Sequence, residues 1–262
     1  MEAAGPVYLV GAGPGDPELL TVKALRLIQE ADVVVYDRLV SDSILELVPS
    51  KTRKLYVGKE SGHHSLTQDR INEVLLNAAG LYRSVVRLKG GDPYIFGRGG
   101  EEALFLKEHG ISVEVVPGIT SAAASSAATG IPLTHRGLAT GVRFVTGHLR
   151  EDHKLDLDWD SLAQEDTTLV IYMGLSALAV IARRLIAAGL PAETPALAIE
   201  NATTPQERKI IAPLNRISRA VRDEKFKPPT LIVIGKVVSL ADQKEKAELL
   251  PELLASAGAG YA

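Results

Sequence analysis

Five charged side chains share a short stretch with five glycines: Lys89, Asp92, Arg98, Glu101 and Glu102 lie among Gly90, Gly91, Gly97, Gly99 and Gly100. Glycines let backbone N–H and C=O groups approach a ligand with no side chain in between. The charges add carboxylate acceptors and cationic donors at the same place. A solvated connector, charged only for solubility, is the plainer reading of such a loop. The glycines argue against it, because each adds a conformational-entropy cost that a mere connector does not need. Burial of these charges in a core is not expected. The chemistry on offer is recognition of a polar small molecule by an accessible backbone.

The elements around the loop must position it. Ser84 to Leu88 reads as a strand, and the apolar period Ala103, Leu104, Leu106 after Glu101 reads as a helix. The chain has 262 residues, 46% of them hydrophobic and only 5% aromatic, so Ala, Val, Leu and Ile carry the burial. That composition favours α/β architecture. A net charge of −3 gives no reason to expect nucleic acid as a partner. With no cysteine, disulfides, thiolate nucleophiles and Cys-ligated metals are excluded. No apolar run reaches spanning length and the N-terminus lacks a basic-then-apolar signal, so a cytoplasmic protein is expected.

Taken in order, Val7 to Val10 is a strand that runs into Gly11-Ala-Gly-Pro-Gly-Asp-Pro17. The glycine spacing departs from G-x-G-x-x-G, and Pro14 has no N–H for a phosphate, so a pyrophosphate cradle is not read here. Ala31 to Tyr36 is a continuous valine-rich strand, as burial on both faces requires. Asp37 just beyond it reads as a cap or turn former, with a ligand contact as the alternative. Thr52 to Gly58 is a third strand, followed by Lys59 and a polar segment. His63-His64 in that segment does not make a metal site, because neighbouring side chains point apart. Ser65 or Thr67 caps a helix carrying Ile71, Val74, Leu75 and Ala78, and Ser112 to Val116 is a fifth strand. Five strands alternating with helices specify an open, mainly parallel sheet with ligands beyond the carboxyl ends of its strands. The loops at 11–17, from 37 and at 89–100 are therefore expected to converge.

Pro117-Gly118 marks the expected boundary, giving domains of 1–116 and 117–240 and a tail of 241–262 that frays. Ile119 to Thr129 is a helix of small residues, and Ile131 to Arg136 is extended. Strands follow at 142–146, 168–173, 196–199, 207–211 and 230–234, with helices at 175–188 and around 217–221. The short spacing between 196 and 211 suits a hairpin, so the second sheet is expected to be mixed.

Several motifs together resemble the tetrapyrrole methylase family. They are Val10-Gly-Ala-Gly-Pro-Gly-Asp-Pro17, Asp32-Val-Val-Val-Tyr-Asp37, Val57-Gly-Lys59, Arg87-Leu-Lys-Gly-Gly-Asp-Pro93, Phe96-Gly-Arg-Gly-Gly-Glu-Glu102, Val116-Pro-Gly-Ile-Thr120, Pro132-Leu-Thr-His-Arg136, Tyr172-Met173 and Asn201-Ala-Thr-Thr-Pro-Gln206. They run in order from about residue 6 to about 240 without departure. The first marks only the broad family; the stretch from Phe96 to Glu102, with Thr134 to Arg136 and Tyr172-Met173, is more specific. The resemblance implies two α/β domains with S-adenosylmethionine in the cleft between them, S-adenosylhomocysteine as product, and a homodimer. Bifunctional members carry a dehydrogenase/chelatase module ahead of the methylase; this chain starts at the methylase, so that activity is not expected.

Carried over, the cofactor contacts are Pro14, Gly90, Gly91, Asp92, Ile95, Thr120, Ser121, Met173 and Ala202. Asp92 would accept from an amino group or ribose hydroxyl, and Ile95, Met173 and Ala202 would wall the adenine. Without the resemblance, Ile95 and Met173 would read as core. The implied substrate is uroporphyrinogen III, methylated at C2 and C7 to give precorrin-2, a precursor of sirohaem, cobalamin and haem d1. A polycarboxylate macrocycle calls for guanidinium forks, which Arg98 and Arg136 offer, with Glu101 accepting from pyrrole N–H groups or orienting Arg98 and with Met173 beside them. Lys89, His63, His64 and Arg150 are weaker candidates, with simple exposure to solvent as the alternative. The implied mechanism is in-line transfer, with the reacting carbon held about 3–3.5 Å from the methyl. The catalytic set is Asp37 as proton acceptor, Lys59 as donor, Arg98 and Glu101. An arginine, with a pKa above about 12, is a poor base, so Arg98 is read as a carboxylate binder, and the identity of the base stays open. A methylase of a later corrin intermediate, a diphthamide-type protein methylase and a non-catalytic nucleotide-binding module are the alternatives.

Overall fold

The computed structural model describes residues 5–58, 67–148 and 155–241. Lys59, His63, His64, Ser65, Arg150 and the tail beyond 241 lie outside the described residues. Two units account for the chain: Met1–Ala124 with Asn201–Pro205, and Ser125–Glu200 with Gln206–Ala262.

The first unit runs β1 (Val7–Gly11), α1 (Val22–Glu30), β2 (Val33–Tyr36), α2 (Asp42–Leu45), β3 (Arg53–Tyr56), α3 (Gln68–Leu81), β4 (Val85–Lys89), α4 (Gly99–Glu108) and β5 (Val113–Val116). Its sheet has the order β3-β2-β4-β1-β5 with every pair parallel. β4 is central and buried along its whole length. Side chains alternate across such a sheet, and two core layers result. Val10, Val34, Val86 and Leu88 pack with Ala24, Leu27 and Ile28 of α1. Val7, Leu9, Val33, Val35 and Val85 pack with Leu75 of α3 and with Ala103 and Leu106 of α4. The odd-numbered residues of β4 therefore face α3 and α4. Thr67 is the residue that caps α3, its hydroxyl accepting from Arg70 N at 3.4 Å. A sheet buried on both faces explains why its strands read as unbroken apolar runs.

α5 (Ser121–Thr129) carries the chain into the second unit, which contains β6 (Gly141–Thr146), α6 (Trp159–Leu162), β7 (Thr167–Tyr172), α7 (Leu178–Ala187), β8 (Pro195–Glu200), β9 (Arg208–Pro213), α8 (Leu214–Asp223) and β10 (Thr230–Ile234). The strand order is β6-β7-β10-β8-β9. Only β6 and β7 are parallel; β8 and β9 form the expected hairpin. Its core joins Leu169 and Ile171 of β7, Ile181 and Leu185 of α7, Ile217 and Val221 of α8, and Ile232 of β10. The segment expected to be extended through Arg136 instead folds back at its end. His135 and Ala139 exchange backbone hydrogen bonds of 3.0 and 2.9 Å, leaving Arg136 and Gly137 (φ +85°) at an exposed tip. The left-handed glycine makes that reversal affordable in steric terms.

Candidate active site at the carboxyl edge of the first sheet

The loops leaving β1, β2, β4 and β5 meet, as the parallel topology requires. Ala12 N donates to Lys89 O at 2.7 Å, and Gly13 and Gly91 exchange N–H···O bonds of 3.1 and 2.6 Å. Ser41 Oγ, beyond β2, donates to Gly15 O at 2.7 Å. At Gly11 an added Cβ would stand 2.5 Å from Gly118 N and 2.7 Å from Gly91 O; at Gly90 it would stand 2.7 Å from Leu39 Cβ. Three strand ends thus come together through Gly11, Gly91 and Gly118, with no room for side chains between them. Asn201–Pro205 belongs to the same unit, and a Cβ on Gly15 would stand 2.8 Å from Thr204 Cγ2.

This junction gathers Pro14, Gly90, Gly91, Asp92, Thr120 and Ser121. Gly91 has φ +69°, and beside it the nearest atoms to a notional Cβ, Ser121 N and Thr120 Cα, are 4.0 Å away. An open glycine next to backbone amides fits a zwitterionic ligand such as S-adenosylmethionine. Both Asp92 oxygens are engaged: Oδ1 accepts from Tyr94 N at 2.8 Å and Oδ2 from Gly118 N at 3.1 Å. Asp92 is therefore a clamp between two loops, and only its remaining lone pairs can serve a ligand. Ile95, half-buried, closes the turn by donating its N–H to Asp92 O at 3.3 Å. Ala202 sits between two residues with left-handed backbone, Asn201 (φ +51°) and Thr203 (φ +68°).

One expectation fails. Lys89 and Glu102 are not solvated loop charges: they are 4% and 0% exposed, and Arg87 is 2% exposed. Residues 87 and 89 share the face of β4 that α4 covers, so both cations point at Glu102. Its Oε1 accepts from Lys89 Nζ at 2.9 Å, Arg87 Nε at 3.3 Å and Gln68 Nε2 at 3.3 Å. Its Oε2 has no hydrogen-bond partner among the described residues. Arg87 also donates through NH1 to Leu88 O at 2.9 Å and through NH2 to Asp37 Oδ2 at 2.8 Å. Asp37 Oδ1 accepts from Leu39 N at 3.1 Å, which is the turn-forming role, while its side chain remains 24% exposed. Burial, and then the neighbouring Arg87 charge, hold the Lys89 ammonium below the usual lysine value against the upward pull of Glu102.

Arg87 is the residue that reading the sequence passed over, and Glu102 reads there only as a loop charge. A signal existed: arginine and lysine two apart in an otherwise apolar buried strand must share a face.

Arg98 has the opposite setting. It is exposed, in left-handed backbone (φ +59°) at the start of α4, and it grips Glu101 through two bonds, Nε to Oε1 at 2.9 Å and NH2 to Oε2 at 2.6 Å. Orienting Arg98, one of the two roles considered for Glu101, requires such a pairing. The bond to Glu101 raises the guanidinium above its usual value and holds the Glu101 carboxyl below the usual carboxylate value. Arg98 is thus a cation at any physiological pH. Arg136 and Met173 belong to the second unit. Met173 follows β7 with φ +54° and is 50% exposed, so it is not the core residue its type suggests. Left-handed backbone at a non-glycine residue is a strained state that collects at ligand sites.

The sequence pattern of the tetrapyrrole (corrin/porphyrin) methylases matches residues 6–218. The chain is 56% identical over 238 residues to the chloroplastic S-adenosyl-L-methionine-dependent uroporphyrinogen III methyltransferase of Arabidopsis thaliana, covering 90% of this chain and 64% of that one. It is 53% identical over 242 residues to the siroheme synthase of Azotobacter vinelandii, covering 92% of this chain and 52% of that one. The chain therefore spans between about half and two thirds of the length of these curated relatives. Among solved structures, the uroporphyrin-III C-methyl transferase from Thermus thermophilus complexed with S-adenyl homocysteine is similar with a TM-score of 0.78 and 48% identity, covering 90% of this chain and 100% of that one. Fold, glycine junction and sequence agree, and the chain belongs to the tetrapyrrole methylase family.

Proposed function

We propose that the chain is an S-adenosylmethionine-dependent C-methyltransferase that methylates uroporphyrinogen III at C2 and C7 to give precorrin-2. The plant relative, named for methylation of uroporphyrinogen III, and the Thermus structure, named for C-methylation of uroporphyrin-III, support the substrate. The observation that carries the reading is the glycine junction of Gly11, Gly91 and Gly118, continuous along one loop with the exposed guanidinium of Arg98. S-adenosylmethionine, when bound, supplies an electrophilic methyl on a sulfonium. Gly90, Gly91, Thr120 and Ser121 hold it through the backbone, with Pro14, Asp92, Ile95, Met173 and Ala202 as its further contacts. Arg98 and Arg136 bind the carboxylates of the macrocycle, Met173 is a further substrate contact, and Glu101 keeps Arg98 oriented until a substrate carboxylate competes for the fork.

As the carbon–methyl bond forms and the sulfur–methyl bond breaks, positive charge passes from sulfur to the pyrrole and a proton leaves the macrocycle. Asp37, partly exposed at the end of β2, is the acceptor of that proton; Lys59 is the donor carried by the family resemblance. Arg98, protonated throughout, does electrostatic work only. No helix among the described residues is long and apolar enough to cross a membrane, and the reading includes a cytoplasmic homodimer of the kind usual in the family.

Incubation of the purified protein with methyl-labelled S-adenosylmethionine and uroporphyrinogen III under reducing conditions tests the proposal. A doubly methylated macrocycle is expected, and no label in peptide acceptors. Cofactor binding without turnover would overturn it in favour of a binding module. Arg98→Ala is expected to raise KM for the macrocycle about tenfold or more and to leave the Kd for the cofactor unchanged. Equal loss of both would remove Arg98 from the substrate contacts. Sedimentation of the full chain reads the homodimer directly.

A further inference from the structure

Three buried charges behind the site, Arg87, Lys89 and Glu102, have no part in the reaction just described, and their geometry asks for one. Burying three ionised groups is costly, and a well-packed apolar substitute is often as stable or more so. With Asp37 they form a line of four. Glu102 on α4 takes Arg87 Nε and Lys89 Nζ; Arg87, in the central strand, takes Asp37 Oδ2 with its far nitrogen. Asp37 is the only one of the four that reaches solvent appreciably, at 24% exposure against 6% or less for the others. With Leu39 N on its other oxygen, the Asp37 carboxylate is held at both ends.

We infer that Arg87 is the positioning residue for Asp37, and that Glu102, with Lys89 on the same oxygen, fixes Arg87. The planar guanidinium suits this task, since Nε and NH2 diverge toward two carboxylates while NH1 is anchored on Leu88 O. Among the described residues no other hydrogen-bond partner of the Asp37 carboxylate comes from the core, so without Arg87 it would keep only its turn contact there. A proton acceptor free to rotate spends less time facing the leaving proton, and a displacement of about 1 Å can cost about a hundredfold in rate.

This inference rests on the reading of Asp37 as acceptor, and the test separates the two. Steady-state kinetics are measured on the full chain, on Arg87→Met, on Asp37→Asn and on the double variant. Asp37→Asn is expected to lower kcat by about a hundredfold or more. Arg87→Met is expected to lower kcat by roughly tenfold to a hundredfold, with KM for cofactor and macrocycle unchanged, and to add nothing in the Asp37→Asn background. Normal turnover by Asp37→Asn would remove the acceptor assignment itself. A crippled Asp37→Asn beside a normal Arg87→Met, or losses that multiply in the double variant, would overturn the positioning role alone. Where Asp37→Asn shows no measurable turnover, the split decides: loss in kcat only supports the inference, and loss shared with KM overturns it. Should Arg87→Met fail to fold, Glu102→Gln carries the same test, a loss that vanishes beside Asp37→Asn supporting the inference and an additive loss or none overturning it.

Discussion

Glu101 and Glu102 are neighbours in sequence and opposites in structure. Glu101 holds Arg98 on the surface, with both side chains more than half exposed; Glu102 holds Arg87 and Lys89 with no exposure at all. Successive residues on a helix point about 100° apart, so the first turn of α4 offers one carboxylate to solvent and the next to the sheet. The exposed pair contributes about 0–1 kcal/mol and exchanges partners readily. The buried set gains little over an apolar core, yet removing one member strands the rest. Identical chemistry therefore yields a movable grip in one place and a rigid brace in the other. The proposed roles match these settings, a carboxylate-binding arginine with the first and a proton acceptor with the second.

The contrast is open to attack at several points. Glu102→Ala should have the largest effect, a loss of about 3–5 kcal/mol in chemical denaturation, because two buried cations lose their shared acceptor. A result near that of Glu101→Ala would erase the distinction. Next comes Gly118→Ala, expected to cost about 1–3 kcal/mol by overpacking. Its Cβ would stand 2.8 Å from Gly11 Cα. Cofactor affinity, read by calorimetry, should fall with it.

Lys89→Met probes the brace through pH. Burial depresses the folded-state pKa of Lys89, so between that value and the usual 10.5 the unfolded chain binds more protons and stability rises with pH. Below the depressed value the cost of the buried charge is fully present. Urea denaturation across an alkaline pH series should show the rise in the parent and a flatter profile in Lys89→Met. Smallest of all, Arg98→Ala should change stability by less than about 1 kcal/mol. What remains of that contribution is present above the ordinary glutamate pKa and lost as acid titrates Glu101 through its lowered value. An acid titration of the two proteins by circular dichroism would reveal the difference.

Much of this architecture could be read from the residues. The valine-rich runs at 33–36 and 85–88 are the inner strands of a sheet covered on both faces, and alternation with helices made that sheet parallel. Parallel strands bring their carboxyl ends to one edge, so the meeting of residues 11–17, 37–43 and 89–92 followed from topology before any contact was known. Other features were ambiguous. Ser65 and Thr67 are equally good caps by type, and only the path of the chain selected Thr67. Arg136, expected at the end of an extended segment, sits on a tight turn because His135 pairs with Ala139.

Properties set by neighbours along the chain were legible: strand runs, glycines where the backbone must turn or crowd, and the loop that mixes glycine with charge. The fate of each charge was not, because it depends on partners far away in the sequence. Asp37 and Arg87 are 50 residues apart, and Arg87 and Glu102 are 15 apart. Whether such groups are buried and paired follows from the register of β2 against β4 and from the rotation of α4 about its own axis. Those are non-local quantities, and they turned a solvent-facing lysine and glutamate, as read from composition, into the interior support of the site.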